Sequence, residues 1–414
     1  MQIHSLFICL LALCFLSEKG EAQQERAALR DQIEEAVTSC ADYMAEVLLD
    51  STGKSRCDYE LLEGKWHDYE PPWHTGQIIL ALVEAHRLTG RDAYLDAARK
   101  GGNWWTGMQI TDHPVLRGMV RAIHGDGIDN IVFATVSDGT AGLFRLHEAT
   151  GERKYAEVPT SAGQWMLTHM YEPERRMFYD CVDPLTGNVQ KERSPFWPDK
   201  KTQTFTDVAR PNNEGSLFKD MYRYTKDERY RAVFLELCES LLATQDSNGL
   251  WMDFVPNDKR LGSFHPRFNL WYAESLLEGY ELVNDPRYLE AARRTARTFA
   301  GVQQKDGTIY YTNFLDGSSN KNSICGSAVA FAGIVWLKLL TYGSGEEFRP
   351  CIERSLTWIL RNRYAPDHPD RNLARAVLET RVRTKSSGIW MTQRDIATSF
   401  GVRFLCDYVH VMMR

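Results

Sequence analysis

The residues best suited to chemistry in this 414-residue sequence are a few carboxylates beside asparagine, glycine and arginine. Glu214 follows Asn212-Asn213, and Asp138 stands in Ser137-Asp138-Gly139-Thr140. Asp207 lies just upstream of Arg210-Pro211. Glu70, Asp126 and Asp129 fall in neighbouring segments. Two carboxyl groups in one cleft, one of them partly desolvated and holding its proton near neutral pH, suit general acid–base work. Each acid also has a simpler reading. An acidic residue at a helix start compensates the dipole, Ser137 or Asp138 can cap, and Asp126 in Gly125-Asp126-Gly127 fits a turn. His74 in Pro71-Pro72-Trp73-His74 and His265 in Phe264-His265-Pro266-Arg267 open helical patterns in aromatic settings, where proton transfer or hydrogen bonding is the expected role. Arg210 and Arg267 place cations against the helix dipole, an unfavourable local choice that suits bidentate binding of a carboxylate. Asn213 and the loop tryptophans Trp73, Trp197, Trp251 and Trp390 complete a set able to hydrogen-bond and stack on a polar ring.

The elements that must position these residues are set by an internal repeat. Leu88-Thr89-Gly90-Arg91-Asp92-Ala93-Tyr94 is echoed at Ala149-Thr150-Gly151 through Tyr155, at Tyr224-Thr225-Lys226-Asp227 through Tyr230, and at Val283-Asn284-Asp285-Pro286 through Tyr288. A looser copy runs from Thr341 to Phe348. Each copy ends one helix on Gly, Asn or Lys and opens the next on an acidic turn. The spacing predicts charged, one-faced helices near 26–49, 92–110, 152–170, 227–245, 286–304 and 347–363. More apolar helices are predicted near 75–89, 138–149, 213–224, 267–283, 324–341 and 395–412. Helices apolar nearly all round belong inside and one-faced helices outside, so the fold class is all-α, an (α/α)6 toroid over residues 23–414. Connections from inner to outer helix are tight. The return connections, near 50–74, 111–137, 171–212, 246–266, 305–323 and 364–394, are long, and long connections in a compact domain tend to carry function. They share the end where six inner-helix N-termini converge, which favours an anionic ligand. Little room for chemistry is expected at the other end.

Composition narrows the function classes. A formal net charge of −6 with no basic stripe argues against nucleic acid. The apolar run Leu6–Leu16 is too short to span a bilayer and is followed by polar residues and a small-residue exit. It reads as a signal peptide over residues 1–22, with a secreted or periplasmic product and no membrane insertion. Seven further cysteines are scattered and lack CxxC spacing, as expected of buried small hydrophobes, one disulfide being compatible with export. No motif for a nucleotide cofactor or a metal site stands out.

Trp73-His74-Thr75-Gly76-Gln77, Leu88-Thr89-Gly90 through Tyr94, and Ser137-Asp138-Gly139-Thr140-Ala141-Gly142 together resemble the six-hairpin glycosidases. Within that group the likeness is to enzymes removing terminal uronic acids: unsaturated glucuronyl and rhamnogalacturonyl hydrolases and β-glucuronidases. The resemblance implies a hydrolase acting on an acidic oligosaccharide. It implies an Asp near the second inner helix, where Asp138 stands, and an Asp opening the third. Arg210-Pro211-Asn212-Asn213-Glu214 occupies that second place instead, which leaves Glu214 or Asp207 as the partner. The expected catalytic set is therefore Glu214, Asp138, Asp207 and His74. Substrate contacts are expected from Trp73, Asn213, Arg210, His265, Arg267, Trp197 and Trp390. A polysaccharide lyase, a sugar epimerase and a non-catalytic glycan binder are the alternatives.

Overall fold

In a computed structural model of the protein, residues 23–384 and 388–413 are described in full and 2–22 and 385 by backbone alone. The leader expected over 1–22 thus lies outside the fully described residues. No helix among the described residues is long and apolar enough to cross a membrane.

The chain is mainly α. Six helices pair as outer partners: α1 (Gln2–Tyr43), α3 (Asp92–Thr106), α5 (Lys154–His169), α8 (Glu228–Thr244), α10 (Pro286–Val302) and α12 (Arg349–Arg361). The inner ones are α2 (Pro71–Thr89), α4 (Phe133–Thr150), α7 (Leu217–Thr225), α9 (Pro266–Val283), α11 (Gly326–Thr341) and α13 (Ile396–Met412). A four-residue helix, α6 (Phe205–Val208), lies in one long connection. Going round the inner set, α2 packs on α4, α4 on α7, and the turn before α7 on α9. From there α9 packs on α11, α11 on α13, and α13 returns to α2.

The repeated turns behave as the sequence predicts. Gly90, Gly151, Lys226 and Asn284 adopt left-handed conformations, with φ of 70°, 74°, 62° and 55°. Asp227 and Asp285 then cap the next helices by accepting from Arg229 N and Arg287 N. The aromatic of each repeat is buried, and its hydroxyl reaches the preceding outer helix. Tyr94 donates to Asp42, Tyr155 to Asn103, Tyr230 to Gln164 and Tyr288 to Glu239, at 2.8–2.9 Å. Phe348 has no hydroxyl, and there Arg293 Nε bonds Glu347 at 2.8 Å instead. One motif thus ends a helix, fills the core and ties neighbouring outer helices together.

Inner helices α2 and α4 approach unusually closely. A Cβ on Gly76 would collide with the Gly139 backbone, and one on Gly142 with Gly76 O. The glycines of the two short motifs are therefore contact points between backbones.

The long connections depart from the expectation of an all-α chain. They carry strands β1 (Asp58–Glu60), β2 (Lys65–His67), β3 (Ile123–Gly125), β4 (Ile128–Val132), β5 (Tyr171–Glu172), β6 (Met177–Tyr179) and β7 (Cys181–Val182). After these come β8 (Ala209–Arg210), β9 (Ser263–Phe264), β10 (Tyr310–Phe314), β11 (Ser319–Ile324), β12 (Thr380–Lys385) and β13 (Gly388–Arg394). Four connections share a seven-stranded sheet of order β2-β1-β13-β12-β11-β10-β9, and two three-stranded sheets join the remainder. Strands of two to seven residues paired across hundreds of positions leave no periodic signal, which is why the sequence did not reveal them.

Candidate active site

A cavity of about 270 Å³ opens among these connections. Tyr69, Glu70, Trp73, His124, Phe196 and Trp197 line part of it, and Asp138, Asp180, Arg210, His265, Arg267 and Arg381 bring charge and hydrogen-bonding capacity. Its volume is at the small end for ligand sites, suited to one sugar residue rather than a long chain.

Asp138 sits in the second turn of α4, because that helix begins at Phe133 rather than at 138. The expected capping role is therefore absent: strand β4 runs straight into the helix, and the apolar stretch Phe133–Val136 forms its first turn. Close packing of α2 on α4 lets Gln77 Nε2 donate to Asp138 O and so fix the backbone there. Gly215, at φ 70°, brings the chain before α7 against Ser137 O and Asp138 Cα. This contact places Glu214 beside Asp138. Both carboxyl groups are buried, Asp138 Oδ1 has no hydrogen-bond partner among the described residues, and the Tyr272 hydroxyl lies beside Glu214. Burial pushes Glu214 up to about 7, against the opposing pull of the Arg210 guanidinium. Burial, then the negative charge of Glu214 and of Glu70, raises Asp138 well above the usual carboxylate range. Two buried acids that feel one another's charge resist ionising together. The site therefore holds a proton close to the cavity wall, and Asp138 is the member that lines it.

Glu70 has the opposite character. It precedes α2 in a left-handed conformation (φ 52°), clamped by Glu70 N donating to His124 O. His124 Nδ1 lies 2.7 Å from Glu70 Oε1, and Thr135 Oγ1 donates to the same oxygen at 2.9 Å. Burial alone would raise this carboxyl, but His124, His74 and Arg394 together outweigh it and hold Glu70 at about 2. Glu70 and Asp126 share a strained left-handed backbone (φ 52° and 53°), and both line the cavity.

The arginines divide by their partners. Arg210 donates through Nε and Nη2 to Asp180 Oδ2, at 3.0 and 2.7 Å. Arg267 Nη1 bonds Glu379 Oε1 at 3.0 Å and Ser327 Oγ at 3.1 Å. Both residues expected to bind a carboxylate are thus already paired with buried acids. Arg381 lies over Tyr69 and Tyr311, 5.8 Å from each ring centre, with no carboxylate pairing it among the described residues. Across the mouth, Arg383 Nη1 bonds Asp126 Oδ2 at 2.5 Å. His265 precedes α9 at the cavity wall without a side-chain capping bond; burial, then Arg267 and Arg381, pushes it well below the ordinary histidine value, which favours the neutral ring.

Trp73, Trp197, Arg210, His265, Arg267 and Asp138 come together in this cavity, with Glu214 packed directly behind. Five residues that the sequence suggested do not. His74 is fully buried, its Nδ1 against Asp395 and its Nε2 accepting from Arg394 at 3.1 Å. Arg394 in turn bonds Asp58 at 2.8 Å, so a guanidinium occupies the space among Asp58, His74 and Asp395, the one metal-like cluster among the described residues. Asp207 closes a capping box with Thr204 and pairs Lys200 at 2.7 Å. Asn213 points its amide at Cys238 Sγ, and Trp390 packs edge-on against His67 on the sheet. Trp251 is buried, donating to Leu241 O. Sequence reasoning named Glu70 among the nearby carboxylates and Tyr69 only for a lyase, leaving both out of the expected set, and it missed His124, Asp180 and Arg381. The seven described cysteines are all free and buried.

The opposite end is not empty, contrary to expectation. A cavity of about 190 Å³ lies there, lined by Gln77, Glu84, Arg145, Asp220, Glu278 and Asp407 among others, and Trp271 walls both cavities. The inner helices carry acids and bases alternately around it: Lys338 bonds Glu274 and Glu278, and Arg145 bonds Asp220.

No protein family matches the sequence, and no curated protein matches it. Solved structures do match along nearly the whole chain. An unsaturated glucuronyl hydrolase specific for heparin superposes with a TM-score of 0.68 at 10% identity, covering 93% of this chain and 98% of its own. Cellobiose 2-epimerase from Bacillus thermoamylovorans gives 0.68 at 14% identity, covering 94% and 99%. A possible member of the GH105 family from Salmonella enterica gives 0.60 at 15%, covering 92% and 94%. The chain has the fold that these proteins share.

Proposed function

We propose that this protein is a glycoside hydrolase that removes a terminal uronic acid from an acidic oligosaccharide, working at the mouth of a closed (α/α)6 toroid. The observation that carries this reading is the buried Asp138–Glu214 pair at the wall of a cavity sized for one sugar. Carboxyl groups pushed in opposite directions, the raised Asp138 and the lowered Glu70, mark the two sides of such acid–base work. Asp138, kept protonated, donates to the departing glycosidic oxygen. Glu214 behind it shares that proton and sets its affinity. His124, oriented by the ionised Glu70, takes the proton of the attacking water. Trp73, Trp197 and Tyr69 provide faces for the sugar ring. The contact of α13 with α2 supports closure of the ring, and the leader read in residues 1–22 would deliver the enzyme to glycans outside the cytoplasm.

A second reading rests on His265. Neutral and with Nδ1 unpartnered, it suits removal of a carbon-bound proton, as in a lyase or an epimerase. One experiment separates the readings: incubation with uronate-terminated oligosaccharides and mass analysis of the products. Release of a free uronic acid with uptake of one water supports hydrolysis. New ultraviolet absorbance from a conjugated double bond selects a lyase, an isomer of unchanged mass an epimerase, and an intact but tightly held sugar a binding protein.

A further inference from the structure

We infer that Arg381, rather than Arg210 or Arg267, seats the carboxylate of the bound sugar and is the residue that makes the site select uronic acids over neutral sugars. Three guanidinium groups line the cavity. Two are already satisfied by acids of the protein, Arg210 by Asp180 and Arg267 by Glu379. Arg381 has no such acid among the described residues. Burial, then the like charges of Arg394 and Arg383, lower its proton affinity. A cation held in a half-buried site among other cations is costly unless an anion joins it. Arg381 lines the cavity, so a bound anion there can reach it.

The backbone holds Arg381 firmly in place. It lies on β12, an inner strand of the seven-stranded sheet, with Arg381 in register with Thr392 of β13 and Thr380 with Ile324 of β11. The alternation of the strand sends Arg381 and Arg383 to one face. Val382 between them is anchored by its N–H to Ser323 Oγ at 3.0 Å. Tyr69 and Tyr311 flank the guanidinium with ring faces. Flat aromatic surfaces on a planar cation leave its edge free for two parallel hydrogen bonds to a carboxylate. Because the cavity accommodates one sugar residue, the carboxylate belongs to the sugar whose bond is broken. That last step rests on the hydrolase reading; the recognition of an anionic sugar does not.

The test compares the wild-type protein with Arg381→Met and Arg381→Lys, each first checked for an unchanged melting transition. Hydrolysis of an aryl glucuronide and of the matching neutral aryl glucoside gives KM and kcat, and calorimetry with free glucuronate and with glucose gives affinity without turnover. Losing a charge-assisted pair should raise KM for the glucuronide and weaken glucuronate binding about 10- to 100-fold. The kcat should fall far less, the neutral sugars should be unaffected, and Lys should restore part of the loss. An Arg381→Met protein that binds glucuronate as tightly as wild type overturns the assignment, even if the enzyme hydrolyses uronides. If wild type cleaves no glycoside yet binds glucuronate through Arg381, the hydrolase reading fails and the assignment stands. Sulfated glucose binding as well as glucuronate, with the same dependence on Arg381, would overturn the preference for a carboxylate.

Discussion

At the scale of single residues, the site depends on carboxyl groups pushed in opposite directions. Glu214 is raised to about 7 and Asp138 well above the usual carboxylate range, so the pair holds a proton at low pH and gives it up as pH rises. Activity should therefore fall on the alkaline side of a pH–rate profile. Asp138→Asn should lower kcat by roughly 10²–10⁴-fold with the fold intact, the usual contribution of a positioned acid. A profile that keeps its alkaline limb in Asp138→Asn would place the acid elsewhere. Glu70 is held at about 2 against an ordinary 4.5. A lowered carboxyl stabilises the fold above its unfolded value and loses that contribution as pH falls from 4.5 toward 2. Melting temperatures should thus drop steeply across that window in wild type and less steeply in Glu70→Gln, measured from pH 6 to 3. Residue roles were only partly legible. Asp138 and Glu214 stood out because acids beside asparagine and glycine are conspicuous in a sequence. The role of His74 did not, because its partners Asp395 and Arg394 lie more than 300 positions away. Asp207 looked catalytic for the same reason that it caps a helix: an acid three residues after a threonine serves both ends.

At the scale of elements, the glycines of the two motifs set the distance between α2 and α4 on which the placement of Asp138 depends. A methyl group at Gly139 would come within 2.6 Å of Pro72 O. Gly139→Ala should therefore destabilise the protein by about 1–3 kcal/mol and lower activity as Asp138 shifts. Gly301, near the end of α10, would add a methyl group into open space. Gly301→Ala should be neutral or stabilising by up to about 1 kcal/mol, with activity unchanged. Chemical denaturation of the two variants checks both signs. Helix positions were readable because turn residues and buried aromatics repeat. The start of α4 was misread by five residues, since Ser137-Asp138 has the composition of a cap while the true start, Val132-Phe133, has none. The sheet was invisible for a different reason. Its seven strands come from four connections, and the partner of each short strand is chosen by the helices that bring the connections together.

At the scale of the whole molecule, alternation of tight and long connections correctly indicated which end carries the larger, mixed aromatic and charged cavity. What it could not indicate was the far cavity, because charges facing the ring axis look like surface charges in a sequence of amphipathic helices. The closed toroid proposed above, which the contact of α13 with α2 supports, has a consequence for how the molecule comes apart. An open stack of repeats can fray from its ends, losing one interface at a time. A ring has no end: loosening any hairpin exposes two faces at once, and the tyrosine ties between outer helices break with them. Hydrogen exchange should accordingly report one high protection level shared by all six inner helices. A gradient of protection falling from α9 toward α13 would mean that the last hairpin opens on its own, like a gate in a fence rather than a link in a hoop.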